Sequence, residues 1–178
     1  MNKSSDNLDF FQQISIAFQE EATTTVFKKG QFLTAAGAIE NKLYLVEEGA
    51  VKIYYLSELG EKIIRLGYNG SIMNSLASFL TQVPSDLYLE AIRTTKVKVL
   101  SRDSVLKIKD QSQGYSEFLE SVLVQQLERE IDLLLDSPVQ RLERVLLRSP
   151  LLFQYVPLKY IAAYLRMSPE TLSRIRKS

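Results

Sequence analysis

The sequence contains no cysteine and no histidine. That excludes disulfides, thiol nucleophiles, Cys/His zinc sites, cysteine-ligated iron–sulfur clusters, histidine-ligated haem and any triad built on His or Cys. Phosphate-cradling glycine loops of the GxxxxGKS or GxGxxG type are missing as well. Carboxylates are plentiful, but no spacing pairs them for acid–base work. No catalytic residue, metal ligand or cofactor is therefore assigned, and the chain is not read as an enzyme. Long apolar runs are also lacking: none approaches the roughly 20 residues that a membrane helix needs. The opening MNKSSDNLDFFQ is polar and acidic, unlike a secretory leader. The expectation is a cytoplasmic protein with no membrane partner.

What is present is a core. At 178 residues and 46% hydrophobic, the chain can bury one sizeable domain and a small one. From Thr23 to about Leu100, short β-branched and aromatic runs lie between glycines. Thr23–Lys28, Lys42–Glu47, Ala50–Leu56, Lys62–Tyr68, Leu87–Ile92 and Lys96–Leu100 read as strands, with turns at Gly30, Gly49, Gly60 and Gly70. Strands this short and frequent predict an antiparallel barrel or sandwich. One interruption, Ile72–Leu80, reads as a short inserted helix, followed by a loop over Thr81–Asp86.

Tyr115 to Leu135 holds no Gly or Pro and repeats apolar residues at steps of three and four, through Leu119, Val122 or Leu123, Leu127, Ile131 and Leu134. This long helix either lies on its own barrel or pairs with a copy of itself as a coiled coil, and its extra apolar residues allow both. Leu119, Val122, Leu123, Leu127 and Ile131 are the candidate dimerisation residues. Ser137-Pro138 breaks the helix and starts another to about Arg148.

The chain closes on LKYIAAYLRMSPETLSRIRKS, two short helices with a tight turn between them. Ser168 can cap the second helix, Pro169 fits its first position and Glu170 suits the positive end of its dipole. Ile161, Ala162 and Leu165 share one face, as do Leu172 and Ile175. Such a pair is a helix-turn-helix or any helical hairpin that merely packs. Charge favours the first reading. Residues 139–178 hold eight Lys/Arg against two acids, a formal +6, while the rest holds 14 against 19, a formal −5. A basic segment on a mildly acidic body suits a polyanionic partner.

Barrel, inserted helix, long helix and helix-turn-helix, in this order, resemble the Crp/Fnr family of bacterial transcription regulators over nearly the whole chain. The series Gly30, Gly37, Gly49, Gly60, Gly70 resembles that of the family's sensor domain, and Met167-Ser168-Pro169-Glu170-Thr171-Leu172-Ser173-Arg174 looks like its recognition helix. The resemblance implies an α+β fold. Residues 1–112 would form a cyclic-nucleotide-binding-like β-roll sensor domain, 113–136 the dimerisation helix and 137–178 a helix-turn-helix DNA-binding domain. By the same resemblance Glu170 and Arg174 would read bases. A carboxylate accepts from cytosine N4, and a guanidinium grips guanine O6 and N7. Pro169 would open that helix, and Ser168, Thr171 and Lys177 would touch phosphate.

The chain departs from the family in three places. Where relatives that bind cyclic nucleotides carry a Gly-Glu pair and a downstream Arg, an ungapped alignment from Gly70 to Ala91 finds Asn74, Ser75 and Ser85, with Asp86 beside them. A buried phosphate without its arginine is an unpaired charge. Cyclic AMP or cyclic GMP is thus not expected to bind tightly in the usual mode, and the degenerate pocket is either scaffold or takes another ligand. Arg166 stands where the family commonly has a left-handed Gly. The sequence stops at Ser178, where most relatives continue into a β-hairpin wing, so it resembles a wingless subgroup or a C-terminally shortened form. The expected function is a homodimeric, sequence-specific transcription regulator on an inverted-repeat operator. An unidentified small-molecule effector and RNA polymerase are further candidate partners. The alternative is a small-molecule sensor acting through protein partners without DNA binding.

Overall fold

The structure, a computed structural model, describes residues 9–177. It opens with helix α1 (Phe10–Glu20), followed by strands β1 (Thr23–Phe27), β2 (Phe32–Thr34), β3 (Lys42–Glu48), β4 (Ala50–Ser57), β5 (Gly60–Tyr68) and β6 (Ile72–Met73). Helix α2 (Leu76–Thr81) interrupts them before β7 (Leu87–Ala91) and β8 (Thr95–Ser101). Six helices close the chain: α3 (Arg102–Gln111), α4 (Tyr115–Leu134), α5 (Pro138–Arg148), α6 (Leu152–Tyr155), α7 (Leu158–Tyr164) and α8 (Pro169–Ile175).

The strands form two four-stranded antiparallel sheets, ordered β1-β8-β3-β6 and β2-β7-β4-β5. Inward side chains from both sheets, including Leu33, Tyr44, Val46, Ile53, Leu89 and Val97, fill the space between them. The result is an antiparallel, jelly-roll-like α+β fold followed by helices. Two glycines are sterically required. At Gly49, φ is +94° and a Cβ would stand 2.5 Å from the Thr94 carbonyl oxygen. At Gly67, a Cβ would stand 2.5 Å from the Met73 sulfur, so this strand residue must be bare for β6 to lie against β5.

Several elements depart from expectation. Ile72–Leu80 is not one helix: Ile72 and Met73 pair with Leu45 and Tyr44 of β3, and the helix begins only at Leu76. Burying Met73 on the sheet outweighs extending a helix by one turn. The sequence reading assigned no element to residues 10–20 or 102–111. There, α1 buries Phe10, Ile14, Ala17 and Phe18 and is capped by reciprocal bonds between Asp9 and Gln12, and α3 is capped by Ser101. Helices α1, α2 and α3 share one apolar cluster with Leu43 and Leu100 of the roll.

The closing helices do not stand apart as a clearly separate unit. Leu142, Val145, Leu152, Val156, Ile161, Ala162, Leu165 and Leu172 form one buried cluster that also takes in Ala50 and Ile92 of the roll, with Leu66 and Tyr68 packed against it. Tyr155 stacks on Tyr68 with ring centroids 5.2 Å apart and planes 4° from parallel. The Lys52 ammonium, held by Glu61 at 2.5 Å and Glu90 at 3.2 Å, lies 5.3 Å from the Tyr160 ring.

Candidate functional site

Three places in the fold bring chemistry-bearing side chains together. The first is an outer cleft of about 340 Å³ between α2, the loop after it and the roll, lined in part by Tyr55, Ile64, Ser75, Ser85 and Asp86. Ser75 and Ser85 lie together here, their hydroxyls 2.7 Å apart and both buried. The loop ties itself down: the Ser85 hydroxyl accepts the Leu87 N–H at 3.0 Å, and the Ser78 hydroxyl donates to the Val83 carbonyl at 2.6 Å. Behind it Glu40 is buried and accepts hydrogen bonds from Thr34 Oγ1 and the Lys42 N–H. Burial raises its carboxyl above the ordinary value, against the pull of the Thr34 bond. No lysine or arginine lines this cleft. An anion entering it meets hydroxyls and the Asp86 carboxylate, with no cation to offset its desolvation.

Asn74 is separated from that group. It faces a second, inner cavity of about 260 Å³ enclosed by the roll, α1, α2, α3 and α4. Its Nδ2 is buried without a hydrogen-bond partner. Arg65 of β5 lines the same space, and burial lowers the pKa of its guanidinium. Sequence reasoning passed over Arg65. Its only signal was a cation inside the apolar run Ile63-Ile64-Arg65-Leu66.

The third place is the end of the chain. Ser168 caps α8, its hydroxyl accepting the Thr171 N–H at 3.1 Å and donating to the Thr171 hydroxyl at 3.2 Å. Both hydroxyls are thus engaged with each other. Leu172 is wholly buried. On the outer side Pro169, Glu170, Ser173, Arg174 and Lys177 line one shallow, open depression. The Glu170 carboxyl is held below its ordinary value, chiefly by its own backbone N–H. Arg166 adopts φ +55°, the left-handed conformation that lets α7 turn into α8.

The charge of this segment is distributed differently from its count. Arg144 and Arg148 turn to α4, where both meet Asp132 and Glu128. Arg144 Nε lies 2.9 Å from Asp132 Oδ1, and Asp132 is wholly buried. The Asp132 bond, with help from Glu128, holds Arg144 still more firmly protonated. Arg141 donates to the Leu135 and Asp136 carbonyls that end α4. These three arginines belong to the joint between α4 and α5. Lys159, Arg166, Arg174, Arg176 and Lys177 remain exposed outside it, with the Arg176 guanidinium 4.3 Å from the Phe153 ring centroid.

The five apolar residues of α4 singled out for self-association divide between two faces. Leu119 and Val122 line the inner cavity. Leu123, Leu127 and Ile131 are 58%, 49% and 43% exposed, and Val124 and Leu134 extend the same apolar surface. A further arginine on this helix, Arg129, is half-buried. Its Nη2 donates to the Tyr164 carbonyl at 2.5 Å and its guanidinium lies 3.7 Å from the Tyr164 ring centroid.

Among the described residues no group of acidic side chains has the arrangement of a metal site, and no helix is long and apolar enough to cross a membrane. Curated proteins include no match to the chain. Solved structures share its fold. FixK2 from Bradyrhizobium japonicum is 22% identical, with a TM-score of 0.70 over 88% of this chain and 83% of that one. The catabolite activator protein of Thermus thermophilus is 24% identical, with a TM-score of 0.58 over 93% and 81%. The c-di-GMP responsive global regulator CLP of Xanthomonas campestris is 14% identical, with a TM-score of 0.60 over 94% and 90%. The sequence pattern of the cyclic nucleotide-binding domain matches residues 24–112, which span the roll from β1 through α3, and the chain belongs to that family.

Proposed function

We propose that the protein is a sequence-specific DNA-binding transcription regulator that acts as a homodimer. The observation that carries this reading is the two-sided character of α8. Leu172 is wholly buried, while Glu170, Arg174 and Lys177 are exposed on a common depression after a left-handed turn. Carboxylate and guanidinium one helical turn apart suit cytosine and guanine edges in one major groove, and Lys177 suits phosphate. In this reading residues 1–112 are the sensor unit, 113–136 the dimerisation helix and 137–178 the DNA-binding unit. The exposed stripe Leu123–Leu127–Ile131 on α4 supports pairing with a second copy. The regulatory roles named for the activator protein of Thermus thermophilus and for CLP agree with it.

The sensor unit is not a cyclic nucleotide receptor of the usual kind. The outer cleft offers Ser75, Ser85 and Asp86 where a cyclic phosphate would need a cation. The test of the whole reading is selection of random duplexes by the purified protein, with the bound pool sequenced. The expected result is an enriched inverted repeat whose half-site centres lie about 34 Å apart.

A second reading, a sensor that acts through protein partners, draws support from the packing of the closing helices on the roll. It predicts no salt-dependent binding to any duplex, so titration of a mixed-sequence duplex at two salt concentrations separates the two readings.

A further inference from the structure

We propose that the inner cavity beneath α4 is a binding site for a small amphiphilic monocarboxylate. The cavity is closed on most sides by Leu43, Ile72, Phe79, Val105, Phe118 and Val122, all apolar. Its volume of about 260 Å³ sets the size of the guest. A cavity of about 150 Å³ takes benzene, so this one takes roughly ten non-hydrogen atoms.

Two polar groups reach that apolar space, one with no hydrogen-bond partner and the other with only the Tyr164 phenol near its charge. The Asn74 Nδ2 is buried and donates to nothing. Arg65 makes no side-chain hydrogen bond or ion pair with any described residue, although ion-pair clusters form elsewhere, at Lys52, Glu47 and Asp132. A guanidinium does not deprotonate to escape burial. Partly desolvated and with no carboxylate beside it, it would be stabilised by an anion. Its planar fork matches the two oxygens of a carboxylate, and an amide N–H beside it can donate a third hydrogen bond. A single cation facing apolar walls suits a monoanion with an apolar body. A phosphate dianion would bring more charge than Arg65 can neutralise.

The site is distinct from the outer cleft, which holds Ser75 and Ser85 and no cation. Because Leu119 and Val122 form one wall, the guest would lie under the stripe of α4 proposed for self-association. An effect on dimerisation rests on that proposal, whereas binding itself does not.

Calorimetric titration of the full chain, without DNA, tests the proposal. Phenylacetate and octanoate each have the required number of heavy atoms, and 2-phenylethanol and 1-octanol are their neutral counterparts. At least one acid should bind once per chain, at least tenfold more tightly than its own alcohol. Arg65→Met should weaken binding of the acid at least tenfold and leave the alcohol unchanged, while Asn74→Ala should weaken the acid by a smaller factor. Absence of binding by both acids, equal affinity for the bound acid and its own alcohol, or an Arg65→Met variant that binds the acid like the parent would each overturn it. The comparison of acid with alcohol on the unmodified protein decides the matter even if the variant does not fold. Binding without DNA keeps this outcome separate from that of the duplex selection.

Discussion

Replacing Asp132 by alanine removes the one wholly buried carboxylate of the α4–α5 joint. In the native protein it accepts from Arg144 Nε at 2.9 Å and from Arg148, so one side chain on α4 holds two on α5. Breaking a fully buried ion pair costs about 3–5 kcal/mol, chiefly because a charge is left buried and alone. That figure is an upper bound here. The arginine side chains are 33% and 34% exposed, and both also reach Glu128, so they keep a partner and water when Asp132 is gone. What remains to be lost is two charge-assisted hydrogen bonds and a small buried volume, about 2 kcal/mol in all. For a chain of this length that corresponds to a fall in Tm of about 4–8 °C.

Urea unfolding followed by circular dichroism measures the loss. Glu128→Ala provides the internal comparison: its side chain is 39% exposed, so its removal should cost under about 1 kcal/mol. A double-mutant cycle between Asp132→Ala and Arg144→Met should return a coupling above about 0.5 kcal/mol. An Asp132→Ala protein as stable as the parent, or a cycle that closes with no coupling, would show that the Asp132 pairs add nothing to what holds the two helices together.

Three further outcomes are expected. Arg174→Ala should abolish sequence preference in duplex binding at a cost of about 1–3 kcal/mol, whereas Lys177→Ala should weaken all duplexes alike and reduce the salt slope by about one per protomer; unchanged operator affinity in Arg174→Ala removes it as a base reader. Leu127→Glu places a charge in the exposed stripe of α4 and should turn a dimer into a monomer in sedimentation while leaving far-ultraviolet circular dichroism intact; a variant that sediments as the parent does locates self-association elsewhere. Glu40 links stability to pH. Its folded pKa is raised above 4.5, so the folded protein keeps a proton that the unfolded chain releases, and stability from this group is greatest below 4.5 and falls as pH rises through the folded value. Glu40→Gln should flatten that fall between pH 4 and 7 in urea midpoints, and an undiminished slope assigns it to other groups.

What could be read along the chain is what depends on neighbours in sequence. The alternation of Val51-Lys52-Ile53-Tyr54 marks β4, and the unbroken repeat from Tyr115 marks α4 to within one residue. The pattern Phe10, Ile14, Ala17, Phe18 behind the Asp9–Gln12 box is equally local, so α1 is a feature that the sequence carries without help from the fold. Other features needed the third dimension. Whether Ile72-Met73 opens a helix or adds an edge to β3 depends on what Tyr44 and Leu45 leave unpaired, about 27 residues away. Arg65 and Asn74 look unrelated until β5 and β6 lie beneath α4.

Charge is the clearest case. Counting lysines and arginines after Pro138 yields +6, but Arg144 and Arg148 answer carboxylates on α4 that lie 12 to 20 positions earlier, and Arg141 serves the end of the same helix. A sum along the chain states how much charge a segment has and nothing about where it points. The part that bears on a polyanion is the set exposed outside that joint, Lys159, Arg166, Arg174, Arg176 and Lys177. Of these, Arg166, Arg174, Arg176 and Lys177 belong to the turn into α8 or to α8 and its end. The charge outside the joint is therefore smaller than the count, and it is concentrated on the helix whose outer face carries Glu170. That distribution is the one a base-reading helix requires, because phosphate contacts clustered around a single element fix its register in the groove, whereas the same charge spread over the joint with α4 would fix nothing.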